Sequence, residues 1–134
     1  MKIIRNKYLP VGNFGCMNIL GFLFVREEVE LTDTIINHEA IHSVQQNEIM
    51  TTSALVAVAL STFFASWWYL SITIAMPIIV YVLAWLIEFV LPPYDSAYKD
   101  SPFEREAYEN EDACWYLANR TPFAWVRYIL RSRK

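Results

Sequence analysis

The residues best suited to chemistry in this chain are consecutive: His38-Glu39-Ala40-Ile41-His42. On a helix, a spacing of four sets both imidazoles on one face, one turn apart, where two ring nitrogens can share a Zn²⁺. Glu39 then lies about 100° round the axis from His38. Its carboxylate reaches a metal-bound water rather than the metal, which suits a general base. These are the only histidines in the chain. Random placement would space them this way, with Glu behind the first, in roughly one case in a thousand. That arithmetic weighs against the plainer account, an exposed helix face carrying His and Glu for solubility.

Catalytic zinc usually takes three protein ligands and keeps a fourth place for water. With no third histidine, the donors left are Cys16, Cys114 or a carboxylate. The densest acidic stretch runs from Phe103 to Asp112 and contains Glu104, Glu106, Glu109 and Glu111. Glu104 and Glu106 would stand about 200° apart on a helix and cannot face one metal equally, so each is a candidate third ligand. A solvated acidic helix face is the competing account.

The elements that must position these groups are dominated by one apolar run. From Thr51 to Leu91 the only acid or base is Glu88, in a chain of 134 residues that is 55% hydrophobic and 19% charged. A single domain spanning residues 1–134 is expected, and disorder and coiled coil are excluded. About 20 residues cross a bilayer core, so the run predicts a mainly α integral membrane protein with two transmembrane helices, residues 50–65 and 70–91. Ser66-Trp67-Trp68-Tyr69 marks the far interface, Pro77 a kink, and Glu88 a carboxylate reaching the near interface. All eleven Lys and Arg lie in the flanks. The positive-inside rule then places the chain in the inner (cytoplasmic) membrane with both termini and the histidines cytoplasmic, and with the lipid bilayer as a partner.

Ahead of the membrane, Ile19 to Val25 predicts a strand, and Val29, Leu31 and Ile35 extend a second one, giving a short β-hairpin. Thr32 or Asp33 caps an active-site helix over residues 33–49 that continues into the first span. After the break at Pro92-Pro93, Ser101 caps a helix over residues 102–119, with Pro102 in its first turn. From Thr121-Pro122 onward, apolar residues interleave with Arg127, Arg131, Arg133 and Lys134, a basic amphipathic helix suited to anionic lipid. The net charge of −3 argues against nucleic acid as a partner. Two cysteines without metal-type spacing support neither a disulfide framework nor a zinc ribbon. The N-terminal stretch, broken by Pro10, Gly12 and Gly15, lacks the apolar core of a cleaved signal.

His38-Glu39-x-x-His42 followed by Glu104-Arg105-Glu106-Ala107-Tyr108 resembles the gluzincin metallopeptidases, above all the small bacterial membrane gluzincins and the minigluzincins. The likeness covers roughly residues 19–119, with about ten positions specific to it. It implies a short sheet, an active-site helix and a later helix whose Glu completes the zinc site. Matching E-x-x-A-D in those families carries the third-ligand role onto Glu104, with Glu106 as the alternative. Tyr108 stands where such families often have an Asp that orients a ligand histidine. The expected activity is a zinc-dependent membrane metalloendopeptidase acting on peptides or membrane proteins near the cytoplasmic face, with Glu39 moving the proton. The competing reading is a non-catalytic membrane protein with a structural or sensory zinc site.

Overall fold

The computed structural model describes residues 1–10, 15–90 and 101–129, apart from the side chains at 84, 85 and 87–90. Three short strands, β1 (Lys2–Asn6), β2 (Cys16–Ile19) and β3 (Phe22–Arg26), form a sheet of order β1-β3-β2. β2 and β3 are antiparallel, in register Ile19↔Phe22 to Cys16↔Val25. The run from Ile19 to Val25 is thus a turn and a strand rather than one strand. Leu20 and Gly21, at φ 50° and 82°, supply the paired positive φ values that a two-residue hairpin turn requires. Val29 and Leu31 form no strand. The third strand is instead β1, parallel to β3 from Lys2↔Phe22 to Asn6↔Arg26. On the central strand, Leu23 and Val25 are completely buried.

α1 (Asp33–Phe63) is one continuous helix. Thr32 caps it, its hydroxyl accepting from Ile35 N at 3.3 Å, and no Gly or Pro interrupts it. Its buried positions Glu39, His42, Gln46, Ile49, Ser53 and Ala57 recur every three or four residues and form one face, with Ile41 and Gln45 buried beside it. The helix ends on Ala65 in the left-handed region at φ 51°, with Ser66 N donating to Ser61 O. A 3₁₀ segment, Trp67–Ser71, folds the chain back along α1 into α2 (Ile72–Val90), which contains Pro77.

The two-span reading is corrected here. Among the described residues no helix is long and apolar enough to cross a membrane. α1 carries charged and amide side chains as far as Glu48, so its apolar part is residues 51–63, about 20 Å of helix against a hydrocarbon thickness of about 30 Å. As far as Val90 the apolar run forms the end of α1, a tight turn and α2, with α1 and α2 packed on each other and Leu55, Val58, Trp67, Trp68, Ile74 and Ile79 exposed on the outside. The inner-membrane, multi-pass placement and the sidedness drawn from the basic flanks fall with the spans. The side chain of Glu88 and the break at Pro92-Pro93 lie outside what the structure describes.

α3 (Pro102–Asn110) begins at Ser101, whose hydroxyl accepts from Glu104 N at 3.3 Å. It stops well before Asn119. Turn bonds Ala113 N to Asn110 O and Tyr116 N to Ala113 O redirect the chain into α4 (Tyr116–Asn119), followed by α5 (Val126–Ile129). The tail expected to lie on lipid is described only as far as Ile129. Phe103, 2% exposed, joins the layers: its ring stacks on Tyr81 of α2 at 4.2 Å and lies 4.8 Å from Trp125.

Candidate metal centre

α1 and α3 run antiparallel and are tied at both ends. Asn37 Nδ2 donates to Glu111 O at 3.1 Å at one end, and Gln45 Nε2 to Phe103 O at 3.1 Å at the other. Between these ties the first turn of α3 brings Glu104 onto the histidine face of α1. Glu104 Oε2 stands 3.3 Å from His38 Nε2, Glu104 Oε1 stands 3.3 Å from His42 Nε2, and the two Nε2 atoms are 3.1 Å apart. Among the described residues these three side chains are the group placed to hold a metal ion.

The far side of each ring is fixed by an acceptor. Glu111 Oε2 lies 2.7 Å from His38 Nδ1. A carboxylate there makes Nδ1 the protonated nitrogen and leaves the Nε2 lone pair facing Glu104. At His42 the argument runs through an amide. Gln45 Nε2 donates to Phe103 O and to Glu106 Oε2, so Gln45 Oε1 is the atom facing His42 Nδ1 at 2.8 Å and accepting from Tyr81 OH at 3.0 Å. An amide oxygen can only accept, so His42 also carries its proton on Nδ1. Both rings turn a lone pair toward one point. Nitrogen ligands about 2.0–2.1 Å from zinc at the tetrahedral angle stand about 3.3–3.4 Å apart; the two Nε2 atoms are 3.1 Å apart and each has its own Glu104 oxygen at 3.3 Å, so the carboxylate faces both rings. The donor set therefore fits zinc.

Glu39 is buried and lines a cavity of about 290 Å³ shared with His42, Glu104, Cys16 and Tyr81. Burial pushes its carboxyl above the usual carboxylate range, partly opposed by His42 and His38. For His38, burial pulls the ring pKa down, but the bonds to Glu104 and Glu111 outweigh it and the net shift is upward. Burial likewise raises the Cys16 thiol, with Glu39 adding to it. Tyr108 sets its ring edge-on to His38 at 4.7 Å.

The other sequence candidates stand elsewhere. Glu106, fully buried, faces away from the histidines and takes Arg120, Gln45 and the Tyr116 hydroxyl. Cys114 is exposed. Arg105 is directed to α5, donating to Tyr128 O at 3.1 Å. Sequence reasoning named Glu111 only within the acidic stretch, not as the partner of His38, and did not name Gln45. Gln45 follows His42 by three residues, so helical spacing places it beside that ring, whereas Glu111 meets His38 only through the packing of α3 on α1.

Compared with models of known families, with curated proteins and with solved structures, the chain gives no significant match.

Proposed function

We propose that this chain is a zinc-dependent endopeptidase with a gluzincin-like site, in which His38, His42 and Glu104 hold the metal and Glu39 is the general base. The observation that carries the reading is the convergence of the two Nε2 atoms, 3.1 Å apart, on the Glu104 carboxylate, one oxygen 3.3 Å from each, with both histidine tautomers fixed from behind. Zinc bound there supplies a Lewis acid for a carbonyl oxygen and lowers the pKa of water. Glu39 takes the proton from the attacking water and passes it to the departing amine. Its raised pKa suits that exchange, because a base works best when its pKa approaches the working pH. The cavity beside the ligands admits the substrate carbonyl, and β2, an edge strand, offers it backbone partners.

A structural or sensory zinc site is the alternative. Structural sites close all four positions with protein side chains, whereas the group among the described residues has three members and opens on a cavity. The separating experiment is cleavage of a mixed unfolded-protein pool, read by mass spectrometry, with zinc content measured alongside. Glu39→Gln should keep its zinc and lose about 10² to 10⁴ in rate, and His42→Ala should lose both. Equal cleavage by wild type and Glu39→Gln would remove Glu39 as base. A zinc-loaded wild type that cleaves nothing across the pool would favour the structural or sensory site.

A further inference from the structure

Next to the ligand cavity lies a second one of about 320 Å³, and the two share Met17, Asn18, Gln46 and Tyr81 as walls. Its remaining lining is wholly apolar: Ile19 and Leu20 from the hairpin, and Pro77, Ile78 and Val82 from α2. A cavity of about 150 Å³ lined this way holds a benzene ring, so this one admits a large aliphatic or aromatic side chain. Leu20 stands at φ 50°, a backbone conformation that favours Gly or Asn. An apolar residue there adds a wall to the cavity at some cost to the turn.

The edge of β2 leads a peptide to this place. With a two-residue turn, Ile19 and Phe22 are the hydrogen-bonded pair, so the backbone groups of Asn18 and Cys16 turn away from β3. Gln46 already takes the turn end of that edge, its Nε2 donating to Asn18 O at 3.0 Å and its Oε1 accepting from Leu20 N at 2.6 Å. An extended peptide can pair beside Cys16, in the ligand cavity, but not past Asn18. Where it leaves the strand, the apolar cavity opens.

We infer that this cavity is a specificity pocket for one large apolar side chain of the peptide, on the hairpin side of the bond that is cut, and so that the substrates are peptides with a Leu- or Phe-like residue there. The inference rests on the peptidase reading for its substrate but is tested by binding. Labelled peptides Ala-Ala-X-Ala-Ala-Lys, with X as Phe, Leu, Ala or Asp, are titrated by fluorescence anisotropy into zinc-loaded Glu39→Gln protein. Phe and Leu should bind at least about tenfold more tightly than Ala and Asp, the scale expected for burying several methylene equivalents. Ile78 is 63% exposed, so the fold tolerates its replacement. Ile78→Asp, which charges the pocket, and Ile78→Trp, which fills it, should each bring the four peptides within about twofold of one another with zinc content unchanged. Failure to bind any peptide, affinities that ignore X, or a preference that survives both variants would overturn the inference. Hydrolysis of the Phe peptide by wild type is read separately. Selective binding without hydrolysis would keep the pocket and sink the peptidase, and hydrolysis without preference would do the reverse.

Discussion

At the scale of residues, the site depends on side chains that touch no substrate. Gln45 holds His42 in one tautomer only because Glu106 and the Phe103 carbonyl hold Gln45. Replacing Gln45 by Leu keeps the volume and removes the acceptor, and should weaken zinc binding about 10- to 100-fold, as should Glu111→Ala. Competition with a chromogenic chelator measures both. Glu106 is in turn paired with Arg120, which also takes Glu48, and both the Arg120 and Glu106 side chains are essentially buried. Arg120→Met leaves those carboxylates without their cation and should cost about 3–5 kcal/mol of stability in denaturant unfolding. Acidity acts at the same place. Glu104 and Glu111 hold His38 above its ordinary pKa of 6.5, so protons begin to compete with metal at a higher pH than an ordinary histidine would allow. Zinc occupancy should therefore fall as pH drops through the region above 6.5, followed by equilibrium dialysis across pH. His38, Glu39 and His42 were legible because local spacing alone defines their geometry. The Arg120 to Glu48 tie spans 72 residues, and no local pattern reports it.

At the scale of elements, the starts of α1 and α3 were written in the sequence, while the ends of helices and the starts of α4 and α5 were not. Thr32 and Ser101 cap α1 and α3 through side-chain oxygens, a signal contained in a few residues. The end of α3 at Asn110 is set by turn bonds among residues of ordinary helix propensity, and β1 exists only because β3 pairs with it from across the hairpin. The hairpin turn was hidden inside an apolar run by Leu20, a residue type seldom found at positive φ. α1 ends on a similar feature, Ala65 at φ 51°, the position where Gly is usual. Ala65→Gly should raise stability by about 1 kcal/mol in thermal or denaturant unfolding, by removing the Cβ contact that the left-handed region imposes. An unchanged or lower stability would mean that this helix end is not held as described.

At the scale of the whole molecule, hydropathy measured how much apolar surface the chain carries but not how it is distributed between helices. The 41 residues from Thr51 to Leu91 looked like two spans because their total length matched two. The chain instead divides them unequally among α1, a 3₁₀ turn and α2, and the first helix begins eighteen residues earlier, at Asp33. That early start matters for the site: one continuous helix carries His38, Glu39 and His42 at its polar end and packs its other end on α2, so Tyr81 reaches Gln45 behind His42. The central claim is that this frame makes a three-ligand zinc site from two histidines and Glu104, and zinc-edge X-ray absorption of protein loaded with one equivalent of metal tests it most directly. The expected result is one zinc per chain with a first shell of nitrogen and oxygen near 2.0–2.1 Å that persists in Glu39→Gln, while His42→Ala retains no zinc. A sulfur neighbour near 2.3 Å, or no zinc retained by the wild type, would contradict it.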